Sequence, residues 1–304
     1  MELLHGCSCA KDVVLAFGNF DGVHKGHAHV FSEVKRVAAQ QGLAAAVLTF
    51  QPHPAVFLKC RENFLLCDFE QKVQLISEHG MDYLCVADFD AEFSKMSPEQ
   101  FIRDVLVKNC KVKYVVVGEN CVFGHKCAGN LGLLRRYSGH CGYEVASVRQ
   151  FVIDGGVCSS SAIRELLLMG DVERASKLLG RNHAVRGKVV RGCARGRTIG
   201  FPTLNLSLDN LVLPRKGVYK SRVSIDGGEW LQGVANVGAR PTFSDGERTI
   251  LEMHIFDFDE DLYGRSVTVE LLGFVRPEQK FLGIEQLVAQ IGRDISAVRG
   301  QLRT

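Results

Sequence analysis

Apolar residues in this chain fall into two rhythms, and the change between them divides the sequence. Through the first 180 residues or so, short continuous apolar runs alternate with stretches of helical spacing. Val13 to Phe17 reads as a buried strand. Val30 to Gln40 carries Val30, Phe31, Val34, Val37 and Ala38 at helical intervals. Ala44 to Phe50 is a second strand, Gln71 to Glu78 a helix and Tyr83 to Ala87 a third strand. Ser97-Pro98-Glu99 places an N-cap before a proline at the first helical position, opening a helix to about Val107. Tyr114 to Val117 and Tyr143 to Val148 complete five strands. This alternation predicts an α/β domain, a Rossmann-like parallel sheet with helices on both faces and ligands beyond the carboxyl ends of its strands. Gly18 and Gly118 both follow strand ends and should face one crevice.

Near residue 182 the rhythm shortens. Ala184 to Val190, Val218 to Ser224, Leu231 to Val237, Thr249 to Phe256 and Ser266 to Leu272 read as short strands. Turn signals at Asp226-Gly227-Gly228, Asp245-Gly246 and Tyr263-Gly264 separate several of them. Such spacing predicts a small antiparallel β-barrel, closed by an amphipathic helix from Ile284 to Leu302. The expected domains are therefore 1–181 and 182–304.

Composition narrows the function classes. The 304 residues are 46% hydrophobic, ordinary for a chain with two cores. A net charge of +3, spread along the chain, argues against nucleic acid as the main partner. No apolar run approaches the roughly 20 residues that span a bilayer. The start, Met1-Glu2-Leu3-Leu4-His5, lacks the basic and apolar regions of a signal peptide, so a cytoplasmic location is expected. The 11 cysteines, an odd number at scattered spacings, are expected to be reduced thiols rather than a disulfide framework or a zinc site.

The chemistry concentrates in three places. After the first strand comes Gly18-Asn19-Phe20-Asp21-Gly22-Val23-His24-Lys25-Gly26-His27. A glycine loop leading into a helix aims free N–H groups at an anion, and His24 and His27 add donors at the same end. Gly18, Phe20, Asp21 and Gly22 thus mark a nucleotide-phosphate site. Ser160, Ser161 and Arg164 open a later helix and suit the same polyphosphate; a plain serine N-cap with a surface arginine is the competing reading. In the second half, Gly192, Gly196 and Gly200 punctuate the basic segment Arg191 to Arg197 ahead of Phe201-Pro202-Thr203-Leu204-Asn205. A Thr203 hydroxyl and an Asn205 carbonyl two residues apart can ligate Mg²⁺ while phosphates and water fill the shell. Glu252, within Ile250-Leu251-Glu252-Met253-His254, is either the solvent face of a strand or a general base.

Taken together, these motifs resemble the bacterial bifunctional riboflavin kinase/FMN adenylyltransferases, also called FAD synthetases. The resemblance runs from about Val13 to Leu302. It includes Thr49-Phe50-Gln51-Pro52-His53-Pro54, Val117-Gly118-Glu119-Asn120, Phe123-Gly124, Gly217-Val218-Tyr219, Asn236-Val237-Gly238-Ala239-Arg240-Pro241-Thr242 and Asp261-Leu262-Tyr263-Gly264. It implies an N-terminal domain that adenylylates FMN to FAD and a C-terminal domain that phosphorylates riboflavin to FMN. ATP, riboflavin, FMN and FAD would then be the ligands, with Mg²⁺ accompanying ATP. His24 and His27 would stabilise the leaving pyrophosphate, helped by Ser160, Ser161 and Arg164. Pro52, His53, Pro54, Asn120 and Phe123 would seat ATP and FMN. Thr203 and Asn205 would hold Mg²⁺, Glu252 would take the proton of the riboflavin 5′-hydroxyl, and Arg276 would belong to a segment covering the flavin.

The departures from the family pattern cluster in the first domain. Cys121 stands where an aromatic is usual, Val122 where a polar residue is common, Ser161 for Thr and Ala162 for a frequent Arg. They define an alternative: a riboflavin kinase with a weakened N-terminal domain. A binding regulator without turnover and a transferase for another small acceptor are further rivals, opposed by the intact Thr203, Asn205 and Glu252.

Overall fold

All five residues from Val13 to Phe17 are buried, as an inner strand covered on both faces requires. The computed structural model describes residues 1–192, 196, 199–241 and 247–301; Arg197, Thr242, Asp245, Gly246 and Leu302 of the motifs above lie outside the described residues. The chain divides into two units, 1–64 with 68–160 and 65–67 with 161 onward.

The first unit runs β1 (Glu2–His5), β2 (Val13–Phe17), α1 (Lys25–Gln41), β3 (Ala44–Gln51), α2 (Pro54–Lys59), α3 (Phe69–Glu78) and β4 (Tyr83–Asp88). It continues through α4 (Pro98–Gln100), which passes into a π-helical stretch Phe101–Asn109, then β5 (Val112–Gly118). A ribbon of β6 (Val122–Phe123) and β7 (Gly129–Asn130), α5 (Leu131–Cys141), β8 (Glu144–Val148) and a second ribbon of β9 (Val152–Ile153) and β10 (Gly156–Val157) complete it. Six strands form one parallel sheet in the order β1-β4-β3-β2-β5-β8. Strand alternation sorts its core: Leu15, Ala46 and Leu48 pack on one face, Val14, Ala16 and Val47 on the other. From β2 the chain winds outward one way through β3 and β4, then restarts on the other side with β5. The crevice between the ends of β2 and β5 is the switch point where such sheets bind ligands.

The second unit holds α6 (Ser160–Met169) from Ser161 on, α7 (Val172–Leu179) and six strands: β11 (His183–Val190), β12 (Leu204–Ser207), β13 (Gly217–Ile225), β14 (Trp230–Pro241), β15 (Glu247–Ile255) and β16 (Ser266–Arg276). They close into a barrel, β11-β12-β15-β14-β13-β16, with every neighbour antiparallel. Tyr219, Val223, Ala235, Val237, Leu251 and Met253 fill its interior. The alternate positions, Asn205, Asn236 and Glu252 among them, therefore point outward. α8 (Ile284–Gln301) follows the last strand.

Candidate active sites

The first site begins with the geometry that the glycine loop forces. Phe20, Gly22 and Val23 have φ of 44°, 79° and 38°, a left-handed run that delivers the chain into α1. His24 is the N-cap, and His27 sits at the third helical position. Each ring Nδ1 accepts the other residue's backbone N–H at 3.3 Å, and the rings stack with centroids 3.6 Å apart. With both Nδ1 atoms accepting, a neutral ring carries its proton on Nε2. Cys158 reinforces the arrangement, its Sγ 3.6 Å from His24 Nδ1. A Cβ at Gly26 would stand 2.9 Å from the Cys158 carbonyl oxygen, so glycine permits this close approach.

These groups open on a cleft of about 620 Å³, confirming that Gly18 and Gly118 face one crevice. Gly18, Phe20, His24, His27, Asn120, Phe123, Pro54 and Ser160 all line it. Its apolar wall is an aromatic cluster. Phe17 makes edge contacts with Phe101 and Phe123, and Phe93 makes tilted contacts with Phe50 and Phe89, at centroid distances of 5.2–5.8 Å. Phe89 and Phe93 escaped the sequence reading, although their place just beyond β4 is where the parallel-sheet rule looks for ligand contacts. Cys121 also lines the cleft, and burial pushes its thiol up to about 12, so it is neutral at physiological pH.

Other expected residues take supporting places. Asp21 is buried and its carbonyl accepts the Ser160 hydroxyl at 3.0 Å. His53 is a buried N-cap of α2, its Nδ1 accepting the Ala55 N–H, and it abuts Phe64; it does not line the cleft. Pro52 follows a cis peptide bond, is exposed and likewise does not line the cleft. Ser161 and Arg164 lie in α6, in the second unit, and are not lining residues.

In the barrel, strand register assembles the second site. Asn205 on β12 is directly opposite Glu252 on β15, and Glu252 is directly opposite Asn236 on β14. Directly paired side chains share a face with Cβ atoms about 4.5–5.5 Å apart. Glu252 is thus on the outer face, flanked by two amides. Asn236 was named in the sequence only as part of a motif; its signal is the pairing, which no local pattern carries. Gly192 presses on this row from the preceding segment, and Gly196 presses on Phe201 and Thr203 just before it. A Cβ at Gly192 would sit 2.4 Å from Asn205 Nδ2, and one at Gly196 would sit 3.3 Å from Thr203 Oγ1. Gly200, with φ 84°, turns the chain toward Phe201. Thr203 itself opens on a groove of about 440 Å³ whose wall includes Asp259, Glu260 and Asp261. Arg276 is engaged elsewhere: its Nε and Nη2 grip Asp294 of α8 at 2.7–3.0 Å and its Nη1 donates to the Pro277 carbonyl.

Thr203 and Asn205 present neutral oxygens under a backbone that leaves no room for a Cβ. That donor set fits Mg²⁺ arriving with a nucleotide, because phosphates then supply the negative charge.

A family model described as FAD synthetase matches residues 7–162, and one described as riboflavin kinase matches 179–302. A bifunctional riboflavin kinase/FMN adenylyltransferase of Haemophilus influenzae is 37% identical over 304 residues, covering 98% of each chain. Its namesake in Escherichia coli is 39% identical over 294 residues, covering 96% of this chain and 94% of the relative. A crystal structure described as a macrolide-efflux protein of Streptococcus pneumoniae matches with TM-score 0.87 and 33% identity over 98% of each chain. Among the described residues here, no helix is long and apolar enough to cross a membrane.

Proposed function

The chain belongs to the bifunctional riboflavin kinase/FMN adenylyltransferase family, and on that premise we propose which of its residues carry each reaction. It phosphorylates riboflavin to FMN with ATP and adenylylates FMN to FAD with release of pyrophosphate. The observation that carries this reading is that each half matches its own family model and bears its own site, so the kinase-only alternative is not favoured.

In the first unit, an FMN phosphate oxygen attacks the α-phosphorus of ATP and pyrophosphate leaves. The attacking phosphate is already ionised, so no base is needed. What the site must supply is charge stabilisation on the leaving group. The ring Nε2–H groups of His24 and His27, which line the cleft, are the groups for it, and Ser160 braces the glycine loop beside them by donating its hydroxyl to the Asp21 carbonyl. The aromatic wall with Pro54, Asn120 and Phe123 takes the flavin and adenine rings.

In the second unit, Glu252 accepts the proton of the riboflavin 5′-hydroxyl as that oxygen attacks the γ-phosphorus of ATP. Asn205 and Asn236 on either side hold the carboxylate in place. Gly192, Gly196 and Gly200 let the segment before Thr203 pass close to phosphates. Thr203 and Asn205 would hold Mg²⁺, which would supply neutralisation of phosphate charge there. Arg276 serves by fastening α8 to the barrel. A cytoplasmic setting, where ATP is supplied and thiols stay reduced, belongs to the same reading.

The test is product chromatography of the full chain with ATP and Mg²⁺, given riboflavin or FMN. His27→Ala should stop FAD formation and leave FMN formation intact; Glu252→Ala should stop FMN formation and leave FAD formation from supplied FMN. Loss of both activities from either substitution in a folded protein would overturn the two-site assignment.

A further inference from the structure

Lys72, in the first turn of α3, is a lysine only 3% exposed. Its Nζ donates to the Asn19 carbonyl oxygen at 3.0 Å, and among the described residues it has no ion-pair partner. An ammonium in the interior with a single neutral acceptor is costly, and a methionine would fill the space without that cost. The same carbonyl oxygen accepts the hydroxyl of Thr49, a fully buried residue of β3, at 3.2 Å. Two elements distant in sequence thus converge on one oxygen of the glycine loop.

We propose that Lys72 is a positioning residue for adenylyl transfer: it pins the Asn19 carbonyl inward, and so turns the N–H of the same peptide toward the ATP phosphates. The proposal rests on the reading of this cleft as the adenylyltransferase site. A trans peptide is planar, with its C=O and N–H pointing in opposite directions. When the Asn19 oxygen points to Lys72 and Thr49, the Phe20 N–H points away from them. Phe20 lines the cleft and is held at φ 44°, a conformation that a non-glycine residue keeps only when its surroundings enforce it. The two donors on Asn19 are that enforcement. Lys72 also sets a positive charge beneath a loop whose ligand is a polyphosphate, which favours the bound phosphates.

The experiment uses the full chain and measures both activities separately. Lys72→Met should raise the KM for ATP in FAD formation at least tenfold, leave the KM for FMN within twofold and leave riboflavin phosphorylation unchanged. Lys72→Arg should recover most of the loss, since it keeps both charge and donor. Thr49→Val should move the KM for ATP the same way by a smaller factor, and it carries the test if Lys72→Met does not fold. A purely structural lysine would instead shift the melting temperature and spare the KM for ATP. An unchanged KM for ATP in Lys72→Met, with His27→Ala inactive in FAD formation, overturns the positioning role and leaves the site in place. FAD formation surviving in His27→Ala overturns the reading of the cleft itself, and the proposal with it.

Discussion

Gly192→Ala offers the sharpest test of the barrel site, because its effect can be worked from distances. The new Cβ would stand 2.4, 2.7 and 2.9 Å from Nδ2, Cγ and Oδ1 of Asn205. Comfortable contact begins at about 3.5 Å, so the amide must withdraw by about 1 Å. Asn205 is only 8% exposed, and its strand is paired on both sides, to Val190 and to Glu252. The backbone is held, and the adjustment falls on the side chain proposed to bind the metal. A misplacement of about 1 Å at a reacting centre costs about 100-fold in rate, or about 2.7 kcal/mol of transition-state stabilisation. Initial rates of FMN formation from riboflavin, with saturating ATP and varied Mg²⁺, should show a fall of that order. FAD formation from supplied FMN is the internal control and should not change. A Gly192→Ala enzyme whose kinase kcat/KM stays within about threefold of wild type would refute both the crowding argument and the role given to Asn205.

Two further perturbations address stability. Burial pulls the His183 imidazole, hydrogen-bonded to the Val212 carbonyl, down to about 4 from an ordinary 6.5. The unfolded chain takes up this proton first. Stability is therefore whole above pH 6.5 and is lost as pH falls toward 4, by about 3 kcal/mol at about 1.4 kcal/mol per pH unit. Thermal melts between pH 7.5 and 4.5 should show a decline that His183→Leu flattens; parallel profiles would rule this out. Arg276→Met strands the Asp294 carboxylate, 5% exposed, with the Gln290 amide as its remaining side-chain partner, at a cost of about 3–5 kcal/mol. Limited proteolysis should then cut within α8, and an unchanged digestion pattern would contradict the fastening role.

The parallel sheet was legible because its inner strands are unbroken apolar runs, and the glycine loop because its chemistry is contiguous. β1 was not: Glu2, Leu3 and His5 are exposed at an edge that pairs with β4 alone, so no burial pattern marks it. β12 was hidden for another reason. Its first two residues, Leu204 and Asn205, belong to the Phe201-to-Asn205 motif and read as part of a ligand site rather than as a strand. The helices expected from the sequence do not include α2, α5 and α7. Among site residues, Thr203 and the histidines could be read locally. The Asn205–Glu252–Asn236 row could not, because it depends on the register of three strands. His53 and Arg276 carry polar groups that suit ligands equally well, and only tertiary packing shows that one caps a helix and the other grips Asp294.

Closure of the barrel also decides where this chain is exposed to misassembly. Every strand from β11 to β16 has two neighbours, so among the described residues that unit has no strand lying at the border of a sheet. The parallel sheet ends instead on β1 and β8, whose outer sides are unpaired in the chain. β1 is four residues long, with Leu3 exposed, and β8 begins at the exposed Glu144. Short length and an edge carboxylate are modest guards against strand addition. Aggregation under mild stress should therefore start at these two borders, and FAD formation would fade from an ageing preparation before FMN formation does.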